Sequence, residues 1–147
     1  MSARLILTAA LCGLVIVGAS GASKGGAQVL DVNVGPLFSN PENVARLPEG
    51  VRFTFGDTPV EVVQSLGETR SNRASVKGAR TLSDACRWAM LGALKGLGEQ
   101  ARAKGANAVI RLRSTIDDQP GSASTFRCRV SNSIVHVAVT GELAQVK

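Results

Sequence analysis

The chain has 147 residues, a formal net charge of +6, three cysteines, one histidine, one tryptophan and no tyrosine. That length fits one domain able to bury a core without a metal or several disulfides. A basic balance favours polyanions in general, but one Trp and four Phe leave little with which to build a base-stacking platform for nucleic acid.

Met1–Ala22 has the layout of a cleavable secretory signal: Arg4, an apolar run from Leu5 to Val17, then Ser20-Gly21-Ala22 as a small-x-small cleavage site. Gly25-Gly26-Ala27 offers a second cut. The competing reading is a membrane anchor, which needs about 20 apolar residues; this run is shorter and is broken by Gly13. Cys12 lies inside the run, after Leu11, and does not close it as a lipid-acceptor cysteine would. The expected location is the periplasm, with no stable membrane anchor after cleavage. Losing Arg4 with the signal leaves sixteen basic residues against eleven acidic ones.

Beyond the leader, Val29, Leu30, Val32 and Val34 suggest a short strand ended by Gly35-Pro36. Asn40-Pro41-Glu42 reads as an N-cap with proline at the first helical position, opening a short helix through Leu47. Val51, Phe53 and Phe55 alternate with Arg52 and Thr54 as in a strand. Val60 to Thr69 reads as another, with Gly67 as a bulge or a point of close approach. Arg70 to Arg80, four basic residues among small polar ones, reads as a solvated connector in preference to a binding loop.

The unit from Ser83 to Ile116 organises the rest. Ser83 is the expected N-cap, with Asp84 favouring the positive end of the helix dipole. Cys86, Met90, Ala93, Leu97 and Ala101 make one apolar stripe. Ala85, Ala89, Gly92 and Gly96 make a small-residue stripe beside it. Interior glycines at 92, 96 and 98 each cost a helix roughly 1 kcal/mol relative to alanine, which implies close approach of a sheet, with Trp88 at that interface. Arg87, Lys95, Glu99, Arg102 and Lys104 supply the wet side, and Gly105 is the left-handed C-cap. In the strand that follows, Ala108, Ile110, Leu112 and Ile116 point one way and Val109, Arg111 and Arg113 the other.

Asp117 to Ser122 is a turn. The returning strand sets Phe126, Cys128 and Val130 inward against Arg127 and Arg129. The apolar phase then shifts to Val135, Val137 and Val139, which implies either a bulge at Asn132 or a last strand covered on both faces. The fold class is α+β: a mainly antiparallel sheet of four or five strands, in β-β-β-α-β-β order with a short extra helix, packed by one long helix. Residues 1–22 are the signal, 23–50 an N-terminal segment with the short strand and helix, and 51–147 the α+β domain.

Export leaves Cys86 and Cys128, and two cysteines in an oxidising compartment read most simply as one disulfide. Closing a loop of about forty residues would stabilise the fold by roughly 3–4 kcal/mol. Two buried free thiols are the alternative. The chain has no C-x-x-C, no G-x-S-x-G elbow and no phosphate loop of the G-x-x-x-x-G-K-[ST] kind. His136 alone cannot assemble a zinc site of the usual kind. No catalytic residues, metal or cofactor are expected.

The set FTFGDTP, DACRWAMLGAL and ARAKGANAV, with a later cysteine in TFRC, resembles a family of small exported proteobacterial proteins that carry the label "excinuclease ATPase subunit". The likeness runs from about Leu47 to Val146. The label implies DNA-damage recognition with ATP hydrolysis. The chain has neither the phosphate loop nor the paired C-x-x-C zinc fingers of a true excinuclease subunit, and the label is read as a misnomer. The helix–GANAV–strand core is also similar to the YbjQ-type domain, which tends to form rings. The places of Cys86 and Cys128 are similar to those in the RcsF-type outer-membrane stress sensor, whose helix-start cysteine pairs with a later strand cysteine. That sensor's lipid anchor and second disulfide have no counterpart here, and neither likeness supplies site residues.

The resulting expectation is a non-enzymatic periplasmic protein that binds another envelope protein or self-associates, with Val135, Val137 and Val139 as the interaction strand. The alternative is a polyanion or nucleic-acid binder using Arg111, Arg113, Arg127 and Arg129 on one face of adjacent strands.

Overall fold

The computed structural model describes residues 27–147. The expected signal and Cys12 lie outside that range. In chain order the elements are β1 (Gln28–Asn33), α1 (Gly35–Ser39), α2 (Pro41–Val44), β2 (Arg52–Phe55), β3 (Val62–Val76), α3 (Leu82–Ala103), β4 (Ala108–Ser114), a single 3-10 turn (Ile116–Asp118), β5 (Thr125–Ser131) and β6 (Ile134–Val146). The fold is α+β, and the sheet has six strands.

One edge of β6 pairs antiparallel with β3 from Val62↔Val146 to Val76↔Ile134. Its other edge is divided. Ile134–His136 pairs with β5 through Ser131–Arg129, and Val139–Ala144 pairs with β4. β1 then adds antiparallel to β5, and β2 adds parallel to β4. Because β1 joins this sheet and Leu37 of α1 is fully buried in the same core, residues 28–50 are part of the domain and no separate segment.

The expected bulge at Asn132 is a turn instead. Ser131 and Ile134 pair directly, and Asn132, at φ 53°, makes the reversal between two strands. A two-residue hairpin flips the parity of inward residues, so Val130 and Val135 face each other on one side. The bulges lie elsewhere. In β4 the pairing passes from Ile110↔Glu142 to Arg113↔Thr140, leaving Arg111 and Leu112 opposite Gly141 alone. Arg111 adopts φ 53° there. A side chain at Gly141 would meet Leu112 Cδ2 at 2.9 Å and the Ile110 carbonyl at 3.1 Å, so the bulge requires glycine opposite it. Its effect is to break the expected alternation. Val109 and Leu112 join the main core under α3, whereas Ala108 and Ile110 join Ala144, Val146, Val60 and Val62 in a small cluster on the opposite face.

α3 covers the first face. Its N-cap is Thr81, not Ser83: the Thr81 hydroxyl accepts from the Asp84 amide at 3.2 Å, and Leu82 opens the helix. At the other end Gly105 (φ 73°) reverses the chain. The Ala106 amide donates to the Ala101 carbonyl at 2.8 Å and the Gly105 amide to the Arg102 carbonyl at 3.1 Å, the pair of bonds that satisfies a helix's last carbonyls. Asn107 then acts as a strand substitute. Its side chain accepts from the Val146 amide at 2.8 Å and donates to the Val146 carbonyl at 2.9 Å, fixing the end of β6.

Cys86, in the helix's second turn, and Cys128, mid-β5, are disulfide-bonded with Cα atoms 6.0 Å apart, and both are fully buried. The helix glycines are explained differently from each other. At Gly98 a Cβ would meet Pro48 Cγ at 2.7 Å and Phe53 Cζ at 3.1 Å, whereas at Gly92 it would meet only Arg73 Cγ at 3.8 Å and at Gly96 the mobile end of Arg73 at 3.3 Å. Side chains, and not sheet backbone, approach these positions. Trp88 is also off the helix–sheet interface, at 36% exposure.

Two stability outcomes follow. Cys86→Ala with Cys128→Ala opens a 42-residue separation, for which chain entropy predicts a loss of about 4 kcal/mol in urea unfolding; a loss below about 1 kcal/mol would remove the disulfide as a main stabiliser. Gly92→Ala should raise stability by up to about 1 kcal/mol, whereas Gly98→Ala should lower it by about 1–2 kcal/mol through overpacking. Equal effects at the two positions would contradict the packing described.

Candidate interaction surface

The sheet face away from α3 carries the basic residues. Register places Arg127 and Arg129 there beside Asp31 and Val29 of β1, and His136 beside Arg129. Arg113 lies on the same face, opposite Thr140. Arg111 stands at the bulge, away from the regular register. Three of the four arginines are matched to carboxylates: Arg127 to Asp31 at 3.7 Å, Arg129 to Asp117, and Arg111 to Glu142. Only Arg113 of the four lacks an ion-pair partner among the described residues. Each such surface pair contributes about 0–1 kcal/mol, yet together they remove much of the face's net charge.

The expected interaction strand is not available for docking. Val135 and Val137 are fully buried and Val139 is 1% exposed, all under α3. Their strand is also hydrogen-bonded on both edges. This corrects the sequence reading: apolar residues in alternation marked the inner face of the central strand.

Among the described residues β1, β2 and β3 each have one unpaired edge, and the longest belongs to β3. It runs 15 residues and pairs only with β6, so its other edge presents unpaired backbone donors and acceptors among the described residues. Arg70–Val76, read from sequence as a connector, is the outer half of this strand. Val62–Gly67 is interrupted by two register shifts, whereas Glu68–Val76 pairs without a break. Val63 and Val76 are each 63% exposed. Bulges blunt an edge against pairing, so the register shifts protect Val62–Gly67, whereas Glu68–Val76 has no bulge and carries only the edge charges of Glu68, Arg70 and Arg73.

Between the β3 bulge and the β4 bulge lies a polar basin lined by Ser65, Glu68, Arg111, Arg113, Thr140 and Glu142, among others. The Ser65 hydroxyl and the Arg111 guanidinium hold the Glu142 carboxyl below its ordinary pKa, against the opposing effect of burial. Glu142 is thereby kept ionised, the reverse of what a general acid requires. Arg111 in this pair is a left-handed, non-glycine residue, a conformation costing of the order of 1–3 kcal/mol. Among the described residues no three His, Cys, Asp or Glu side chains converge as metal ligands, and no helix is long and apolar enough to cross a membrane.

No protein-family model matches the chain, and no curated protein matches it in sequence.

The Glu142 shift sets a pH outcome. A carboxylate with a depressed folded-state pKa stabilises the fold above its ordinary value of 4.5, and that contribution is lost as pH falls through the lower folded value. Glu142→Gln should therefore flatten the acid limb of the stability–pH curve measured by urea unfolding, and leave a smaller change near neutrality. An acid limb of unchanged slope would show that the pair does not carry this dependence.

Proposed function

We propose that this is a non-enzymatic protein of the oxidising cell envelope that works by strand addition at the outer half of β3. The observation that carries this reading is the stretch Glu68–Val76, paired without a break to β6 on one edge and unpaired on the other among the described residues. Strand addition supplies main-chain hydrogen bonds, with side chains on alternate positions selecting the partner. The simplest partner is a second copy. Antiparallel self-pairing centred on Asn72 would set Arg70 opposite Ala74 and Ser71 opposite Arg73, with no like charges in register. The buried Cys86–Cys128 bond is compatible with an oxidising compartment, and the periplasm remains the location this reading favours.

The polyanion alternative is less well supported, because its four arginines are mostly engaged with carboxylates. Salt-dependent retention on heparin, falling steeply between low and physiological salt, would favour it.

Self-pairing is tested by sedimentation velocity over a range of concentrations. The wild-type chain should dimerise reversibly. Asn72→Lys with Ala74→Lys places lysine opposite lysine and lysine opposite Arg70, and like charges directly opposite are destabilising. That variant should sediment as a monomer with an unchanged urea midpoint. A wild-type dimer that survives the double substitution would place association elsewhere, and a wild-type chain that is monomeric throughout would remove self-pairing.

A further inference from the structure

Trp88 is the only tryptophan in the chain, and it stays partly exposed on a helix whose inner face is fully packed. Its ring carries two cations. The guanidinium carbon of Arg46 lies 4.3 Å from the ring centroid and that of Arg80 lies 4.6 Å from it. Arg46 comes from the connector between α2 and β2, Arg80 from that between β3 and α3. One indole thus pins two loops to the helix by cation–π contact, and holds two positive charges within about 9 Å of each other.

Beside the ring a groove of about 530 Å³ runs between residues 45–48 and the outer face of α3, a size in the range of ligand pockets. Leu47, Pro48 and Leu91 give it apolar walls. Arg46, Lys95 and Arg102 also line it, with Glu99 the one carboxylate among the lining residues. None of these three cations, nor Arg80, is in an ion pair among the described residues. Gly92 lies in the lining as well. Nothing in the packing requires glycine there, since a Cβ would meet only Arg73 Cγ at ordinary distance, and glycine is a poor helix former. The bare position widens the groove.

We infer that this groove binds a free, single-chain anionic amphiphile: a phosphate, sulfate or carboxylate head on an apolar chain. The head sits among Lys95, Arg102 and Arg46, three cations against the single carboxylate of Glu99 in the lining. The chain lies along Leu47, Pro48 and Leu91, where burial of its methylenes is favourable. This inference is independent of strand addition at β3, which uses a different element.

Trp88 emission reads binding directly, because the chain contains no other tryptophan and no tyrosine. The purified protein, disulfide intact, is titrated with dodecyl phosphate below its micelle concentration, with dodecyl maltoside and inorganic phosphate as probes of tail and head alone. The expected result is a saturable, one-to-one change with dodecyl phosphate, and at most a much weaker response to either partial probe. Lys95→Glu with Arg102→Glu should weaken binding by about tenfold or more, the loss expected for charge-assisted contacts. Arg113→Glu, on the far side of the sheet, should leave it unchanged. Several outcomes would overturn the inference: no saturable change, equal binding of the maltoside or of inorganic phosphate, or equal loss in the Arg113 variant. Retention on phosphatidylglycerol vesicles without binding of monomeric dodecyl phosphate would also overturn it, in favour of a membrane surface.

Discussion

The architecture depends on β6 being hydrogen-bonded along both edges. β3, β4 and β5 all pair with it, and β1 and β2 reach it only through β5 and β4. A single strand of 13 residues can serve three neighbours because one edge is divided lengthwise. That division depends on local details. The Ser131–Ile134 hairpin sends β5 away after three pairs, and the β4 bulge opposite Gly141 lets β4 take over the remainder. A β-carbon at 141 would press on the bulge from the helix side, so the glycine and the irregular strand form one device.

The helix layer is tied to this sheet at separate points along its length. The disulfide holds its second turn to β5. Near its end the Thr69 hydroxyl donates to Gln100 Oε1 at 2.6 Å, joining it to β3. The left-handed Gly105 then feeds Asn107 onto the end of β6. With its inner face fixed in this way, the outer face of α3 is left to the two arginine-bearing loops and the groove between one of them and the helix. The divergence of roles around one helix accounts for its composition: apolar residues such as Met90, Leu94 and Leu97 inward, glycine at the Pro48 contact, cations and the indole outward.

Much of this was legible in the sequence, and the failures have physical causes. The inward set Phe126, Cys128 and Val130 was readable because it sits in a regular strand whose burial follows period, and the Cys86–Cys128 pairing because only two cysteines follow the expected signal. The phase flip before Val135 was visible too, but a bulge and a two-residue hairpin produce the same flip. Arg70–Val76 was missed because an edge strand with both faces largely wet has no hydrophobic alternation; its conformation is imposed by β6. The run Ala108-Val109-Ile110 concealed its bulge because two separate apolar clusters bury successive residues. Trp88 was misplaced although helical spacing contained the signal: it shares a face with Lys95, Glu99 and Arg102 and lies across the helix from Cys86 and Met90.

The order of the strands along the chain also bears on when the sheet can exist. A polypeptide made from its amino end produces β6 after every strand that β6 joins. Until then β3 has no partner at all, and the β1–β5 and β2–β4 ribbons have nothing to unite them. Pairings of this kind span long stretches of chain, such as Val62 with Val146, and long-range pairings form slowly. The complete sheet therefore cannot form before β6 has been made.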